Sequence, residues 1–122
     1  MERVFIWTEP FVDRLFKEFS KKEAELIEGK IEKDLCEDPE AGELIEGTHG
    51  IRKLRVSYGN RGKSAGIRVF YLDIKQKEQI YLLVFILKNE KDNLTKSERN
   101  VIGKVALKIK KEVENEKTRK KK

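Results

Sequence analysis

The sequence predicts a small α+β domain: a twisted antiparallel sheet with two helices before it and one after, in the order β-α-α-β-β-β-α. Three observations carry this. Apolar residues recur at helical spacing near the N-terminus and again near the C-terminus. Between them, Ile51 to Ser57 and Gly66 to Asp73 alternate like strands, and Ile80 to Leu87 is apolar throughout. Short connections between these three strands favour a meander, which helices then cover. A chain of 122 residues supplies one domain with one modest core.

The elements follow in order. Val4 to Trp7 is a short apolar strand. Thr8 as N-cap and Pro10 in the first turn open a helix. Its stripe is Phe11, Val12, Leu15, Phe16 and Phe19. Ser20-Lys21-Lys22-Glu23 has the form of a capping box and starts a second helix. Ala24, Ile27, Ile31 and Leu35 line it, and Asp38-Pro39 ends it. Gly42 and Gly47 mark a loop. The apolar run Ile80 to Leu87 suits a central strand covered on both faces, with Lys75 to Gln79 turning into it. Thr95-Lys96-Ser97-Glu98 is another capping box. The helix after it carries Val101, Ile102, Val105, Ile109 and Val113. Residues 1–115 form the predicted domain, and 116–122 a basic, disordered tail.

The formal charge is +6, so the expected partners are anionic. It is unevenly spread. Residues 1–47 hold 7 basic and 14 acidic residues, and residues 48–91 hold 10 and 3. The densest stretch, IRKLRVSYGNRGKSAGIR from 51 to 68, has six cations and no acid. On a strand, Lys53 and Arg55 share a face with Ile51, opposite Leu54 and Val56. Two cations two residues apart stand roughly 7 Å apart, close to the spacing of adjacent phosphates. Arg68 joins them from the next strand. Arg52 belongs to the same run, Arg61 and Lys63 to the loop, and Lys88 and Lys91 to the end of the apolar strand. Clustered like charges without acidic partners imply an absent anion, with nucleic acid foremost. Tyr58, Tyr71 and Tyr81 are candidate stacking faces for bases, although strand aromatics also serve as core.

Cys36 is the one cysteine, so no disulfide forms within the chain and a reducing cytoplasm is the expected compartment. Its acidic neighbours Glu37 and Asp38 disfavour a thiolate. There is no signal-peptide core, and the longest apolar run is too short for a bilayer. No Cys/His cluster or carboxylate set has metal-site spacing, so neither a metal nor a cofactor is expected. RNA is cut without metal when its own 2′-hydroxyl attacks the adjacent phosphate, given a base, an acid and charge stabilisation. His49 is the single histidine, which excludes a histidine pair, and its glycine-flanked setting is that of a loop residue. A lysine crowded by arginines is easier to deprotonate and can then serve as a base, with arginines clamping the phosphate.

The run GTHGIRKLR, then GNRGKSAGIRVFY, then IYLLVFILKNEKDNLT resembles the RelE/HigB-type toxins of bacterial type II toxin–antitoxin systems, and EDPEAGELIEG resembles the lead-in of the HigB branch. The likeness spans roughly residues 4–110. It implies a compact α+β fold and a ribosome-dependent endoribonuclease that cuts messenger RNA in the A site and inhibits translation. It also implies a cognate antitoxin, of helix-turn-helix type in the HigB branch. Carried over, Lys53 and Arg55 match two basic active-site residues on one strand, with Lys53 the candidate base, and Arg68 matches a phosphate-contacting arginine. Lys88 and Lys91 fall in the basic segment after the last strand. Two other functions remain open: a ParE-like inhibitor of DNA gyrase, and a non-catalytic RNA-binding protein.

Overall fold

The computed structural model describes residues 3–57 and 66–120, the side chains of 117–120 excepted. The observed elements are β1 (Val4–Trp7), α1 (Glu9–Glu18), α2 (Lys21–Glu37), β2 (Glu43–Leu44), β3 (Ile51–Ser57), β4 (Gly66–Ile74), a 3-10 turn (Lys75–Lys77), β5 (Gln79–Leu87) and α3 (Lys96–Lys120). They build one mixed sheet in the order β1-β5-β4-β3-β2. The predicted meander of β3, β4 and β5 is antiparallel throughout. The sheet departs from the antiparallel expectation at one edge, where β1 pairs in parallel with β5, Val4 facing Gln79 and Trp7 facing Leu82. No hairpin links these two strands. The long stretch of chain between them allows the crossover that parallel pairing needs. At the opposite edge β2, only two residues long, is too short for alternation to reveal.

Helix α2 begins as its sequence dictates. The Ser20 hydroxyl accepts from the Glu23 amide, and the Glu23 carboxylate accepts from the Ser20 amide. Ser20→Ala is expected to destabilise the protein by about 1 kcal/mol, read as a lowered urea midpoint with an unchanged slope. Thr8 stands at the N-cap of α1, but its hydroxyl donates to the β5 carbonyls of Leu82 and Leu83 instead of capping the helix. It thereby ties the start of α1 to β5. The last helix runs to Lys120, past residue 115.

Both faces of the sheet are covered. Phe11, Leu15, Ala24, Ile27, Ile31 and Leu35 of α1 and α2 pack on Leu54, Val56, Ile67, Val69 and Tyr71. On the other face, Ile102 and Ala106 of α3 pack with Ile51, Phe70, Leu72, Ile74 and Ile86. Strand β4 therefore divides by parity: odd-numbered positions 67, 69 and 71 face α1 and α2, and even-numbered positions 70, 72 and 74 face α3. A register shift between Phe70 and Tyr71 lets β5 feed Leu82 and Phe85 to one core and Leu83 and Ile86 to the other. This is why its apolar run is unbroken. The apolar stripes are narrower than the sequence suggests. Phe16 is 44% exposed, and on α3 Val101 and Val105 are 59% and 42% exposed. Ala106 occupies the sheet-facing position.

The edge carrying β2 is fastened by a tyrosine. Tyr71 is fully buried; its hydroxyl donates to the Pro39 carbonyl at 2.8 Å and accepts from the Gly42 amide at 2.9 Å. Only glycine fits at 42, because a Cβ there would lie 2.7 Å from the Tyr71 ring. Arg52 adds to this fastening, donating to the Gly42 carbonyl at 2.8 Å and to that of Glu40 at 3.3 Å. Among the described residues no helix is long and apolar enough to cross a membrane.

Candidate functional site

The strand registers fix the site. Arg55 on β3 and Arg68 on β4 are direct cross-strand partners, as are Lys53 and Phe70. Since Phe70 packs beneath α3, alternation places Lys53, Arg55 and Arg68 on the α3 side of the sheet. Two arginines directly opposite each other repel, at a cost on the order of 0.2–1 kcal/mol. They differ sharply in environment. Arg55 is exposed, whereas the Arg68 side chain is only 7% accessible.

Arg68 is also poorly satisfied. Its Nη2 reaches the Asp92 carboxylate at 3.3 Å, and its Nη1 makes a long 3.5 Å contact with the Ile67 carbonyl. Its Nε is buried and has no hydrogen-bond partner among the described residues. A buried donor of a charged group left unpaired is destabilising, so this Nε–H is a donor that an anion could satisfy. Asp92 is 72% exposed and can swing away into water when another anion arrives.

The expectation of a cluster without acidic partners therefore needs correcting. Three ion pairs pin the segment between β5 and α3: Arg68 to Asp92, Arg14 to Glu90 at 3.0 Å, and Lys91 to Glu98 at 2.6 Å. Lys91 is thus committed to a carboxylate, one that also accepts from the Thr95 amide at 2.8 Å and so completes the second predicted capping box. These bonds hold the Glu98 carboxyl below its ordinary range, with the Lys91 bond first among the causes. Lys88 continues the strand pairing, its amide donating to the Gly66 carbonyl at 3.0 Å, which sets it beside the β4 end near Arg68.

Glu43 was not anticipated. It is the β2 partner of Lys53, so a carboxylate stands across from the lysine. The two-residue strand that places it gave no periodic signal. Arg52 lies on the opposite parity to Lys53, with its guanidinium bonded to the 40–42 segment, and is not brought into the cluster. Tyr71 likewise faces α1 and α2; its burial leaves no ring face for a base, and lifts its hydroxyl pKa to about 12. Tyr58, Arg61 and Lys63 lie outside the described residues. His49 is an exposed turn residue with a φ of 60°. Cys36 is exposed on α2, away from the cluster.

Beside the cluster, a groove of about 470 Å³ opens between α1, the end of β5 and the start of α3. Ile86, the β5 partner of Arg68, lines it together with Arg14, Glu90, Lys91 and Leu94. No group of His, Cys, Asp or Glu able to hold a metal ion occurs among the described residues. The chemistry on offer is that of cations around an anion, with the carboxylates of Glu43 and Asp92 at the margin.

No family model matches the sequence. Solved structures do share the fold. A double arginine-to-alanine mutant of the E. coli toxin RelE in the free state aligns with a TM-score of 0.52 and 18% identity, over 70% of this chain and 82% of that one. The intact E. coli RelBE toxin–antitoxin complex aligns at 0.50 and 18%, over 68% and 93%. The isolated E. coli RelE toxin aligns at 0.51 and 15%, over 84% and 98%. At these identities the likeness is one of fold.

Proposed function

We propose that this chain is the toxin of a type II toxin–antitoxin pair: an endoribonuclease that cuts messenger RNA in the ribosomal A site without a metal and inhibits translation. The observation that carries the reading is the Arg55–Arg68 pair, in which the buried arginine keeps a donor free for an anion. The fold shared with RelE, and with the toxin of a toxin–antitoxin complex, supports the same reading. The cognate partner is an antitoxin, of helix-turn-helix type if the chain belongs to the HigB branch that its motifs resemble. The setting is the cytoplasm, where translating ribosomes are.

The chemistry follows from the cluster. Arg68 and Arg55 hold the non-bridging oxygens of the scissile phosphate, whose charge grows in the transition state. The 2′-hydroxyl attacks phosphorus, the bond to the 5′-oxygen breaks, and a 2′,3′-cyclic phosphate results. A carboxylate can accept a proton but has none to give, and a lysine ammonium can give one but has no lone pair to accept with. We therefore assign proton acceptance to Glu43 and proton donation to the leaving oxygen to Lys53, its partner across the strands. This reverses the role that the sequence alone assigns to Lys53. Lys88 extends the basic margin toward flanking RNA. The ribosome supplies the in-line orientation that so sparse a catalytic set lacks.

The test is primer extension on a translated message after brief induction. Cuts at codon-related positions, absent when ribosomes are omitted, are the expected result. Intact messages with DNA supercoiling failing first would replace this reading with gyrase inhibition. Intact messages together with salt-sensitive RNA binding would leave a non-catalytic RNA-binding protein.

A further inference from the structure

We infer that Arg99, in the first turn of α3, supplies a second guanidinium to the same anion site and grips the scissile phosphodiester together with Arg68. The inference rests on the RNA-cleaving reading for the identity of the anion, and on the structure for the existence of the site.

Its starting point is a coincidence of two orphans. Among the described residues, two side chains carry a buried polar atom with no hydrogen-bond partner, and both atoms are arginine Nε groups: those of Arg68 and Arg99. A folded chain rarely leaves such a donor unpaired. Two of the same kind call for a common explanation if they lie together.

Helix geometry brings them together. Arg99 precedes Ala106 by seven residues, nearly two full turns, so both lie on one side of α3. Ala106 is fully buried against the sheet, so Arg99 starts from the sheet-facing side of α3; it is half-buried, with its Nε shut off from solvent. Its level along the sheet follows from the other end of α3. Lys110, Val113 and Glu114 line one small pocket with Asp73, Ile74 and Lys75. Going back from Lys110 to Arg99 covers about 16 Å of helix, and about four to five residues of strand once a modest crossing angle is allowed. From Asp73 and Ile74 that reaches the stretch from Arg68 to Phe70. In that stretch Arg68 and Phe70 face α3, and Lys53 is the register partner of Phe70.

The arrangement suits one phosphodiester. Arg68 approaches from the sheet and Arg99 from the helix above, each with an unused Nε–H. Charge-assisted bonds from two rigid guanidiniums to the two non-bridging oxygens would fix the phosphate and stabilise its added charge during attack. The N-terminal end of α3 adds the positive end of the helix dipole to the field. Glu98, next in the helix, is taken up by Lys91 and the Thr95 amide. In the structure, Asp92 meets the far nitrogen of Arg68, and Glu43 stands across from Lys53.

The experiment follows the Nε–Hε signals of both arginines by NMR in the full-length protein. The probes are inorganic phosphate and then a dinucleotide made uncleavable by a 2′-O-methyl group. Both signals are expected to move with one shared midpoint. Arg99→Gln should weaken dinucleotide binding about 10- to 100-fold, with Arg99→Lys between it and wild type. Lys104→Gln, which removes the same charge from an exposed position of α3, should leave binding within about twofold. An Arg99 signal that stays still while Arg68 saturates overturns the inference, even if Arg99→Gln fails to fold. So does undiminished binding by Arg99→Gln. If both signals respond but the wild-type protein cuts no translated message, the two-arginine site stands and the RNA-cleaving reading falls. If Arg99→Gln cuts at the wild-type rate, the inference falls and that reading stands.

Discussion

Arg68→Met is expected to abolish growth inhibition while leaving the protein at least as stable as wild type. Activity depends on the guanidinium, because removing a preorganised charge aimed at developing negative charge costs about 100- to 1,000-fold. Stability does not depend on it in the same way. Arg68 is 6% exposed, is bonded at one nitrogen to a carboxylate that is itself mostly in water, and leaves its Nε unpaired. Replacing an incompletely satisfied buried charge with an apolar side chain of similar length is often neutral or stabilising. Methionine is flexible enough to fill the space beside Ile86, and Asp92, being exposed, is not stranded by the change. The cross-strand repulsion with Arg55 also disappears. Thermal unfolding should therefore show a Tm that is unchanged or raised by a few degrees, alongside a primer-extension pattern free of cuts. A Tm lowered by about 10 °C would mean that Arg68 holds the fold together, and full toxicity would remove it from the site.

Tyr71→Phe should cost about 1–3 kcal/mol. The hydroxyl joins the buried Gly42 amide to the Pro39 carbonyl. Phenylalanine fills the same volume but leaves both groups unpaired. The loss should appear as a lowered Tm and as faster amide exchange at 39–44, since β2 is only two residues long and has no other anchor of this depth. The same hydroxyl gives the fold an alkaline limit. Burial, ahead of the other causes, raises its pKa from 10.0 to about 12. The folded state thus keeps the proton more tightly than the unfolded chain. That stability is fully present below pH 10 and is lost as the pH climbs through 12. Loss of this limit in Tyr71→Phe would confirm the source. Unchanged exchange at 39–44 would show that Arg52 alone secures the edge.

Much of this architecture could be read from residue order because its signals are local. The capping boxes at Ser20 and Thr95 mark helix starts without reference to the rest of the chain. The alternation of Ile51–Ser57 puts Lys53 and Arg55 on one face, and the strand registers have them there. What escaped is non-local. The parallel placement of β1 depends on a partner some seventy residues away. The Arg68–Asp92 pair spans 24 positions, so the site looked less neutralised than it is. Parity could have warned against Tyr71, which shares its side of β4 with the apolar Ile67 and Val69. Arg99 was hidden by a different error. Counting Val101 and Val105 as core rotates the inferred buried side of α3 away from Ala106, and with it away from Arg99.

The carboxylate of Asp92 has one more consequence. It is attached to the same chain as the guanidinium it meets, so in the resting protein it acts as a tethered rival at high local concentration. Chloride and other simple ions, offering one charge and few acceptor atoms, compete poorly against such a neighbour. A polyanion that engages several cations at once does not face the same handicap. Small anions should therefore bind here more weakly than a strand that meets several cations together.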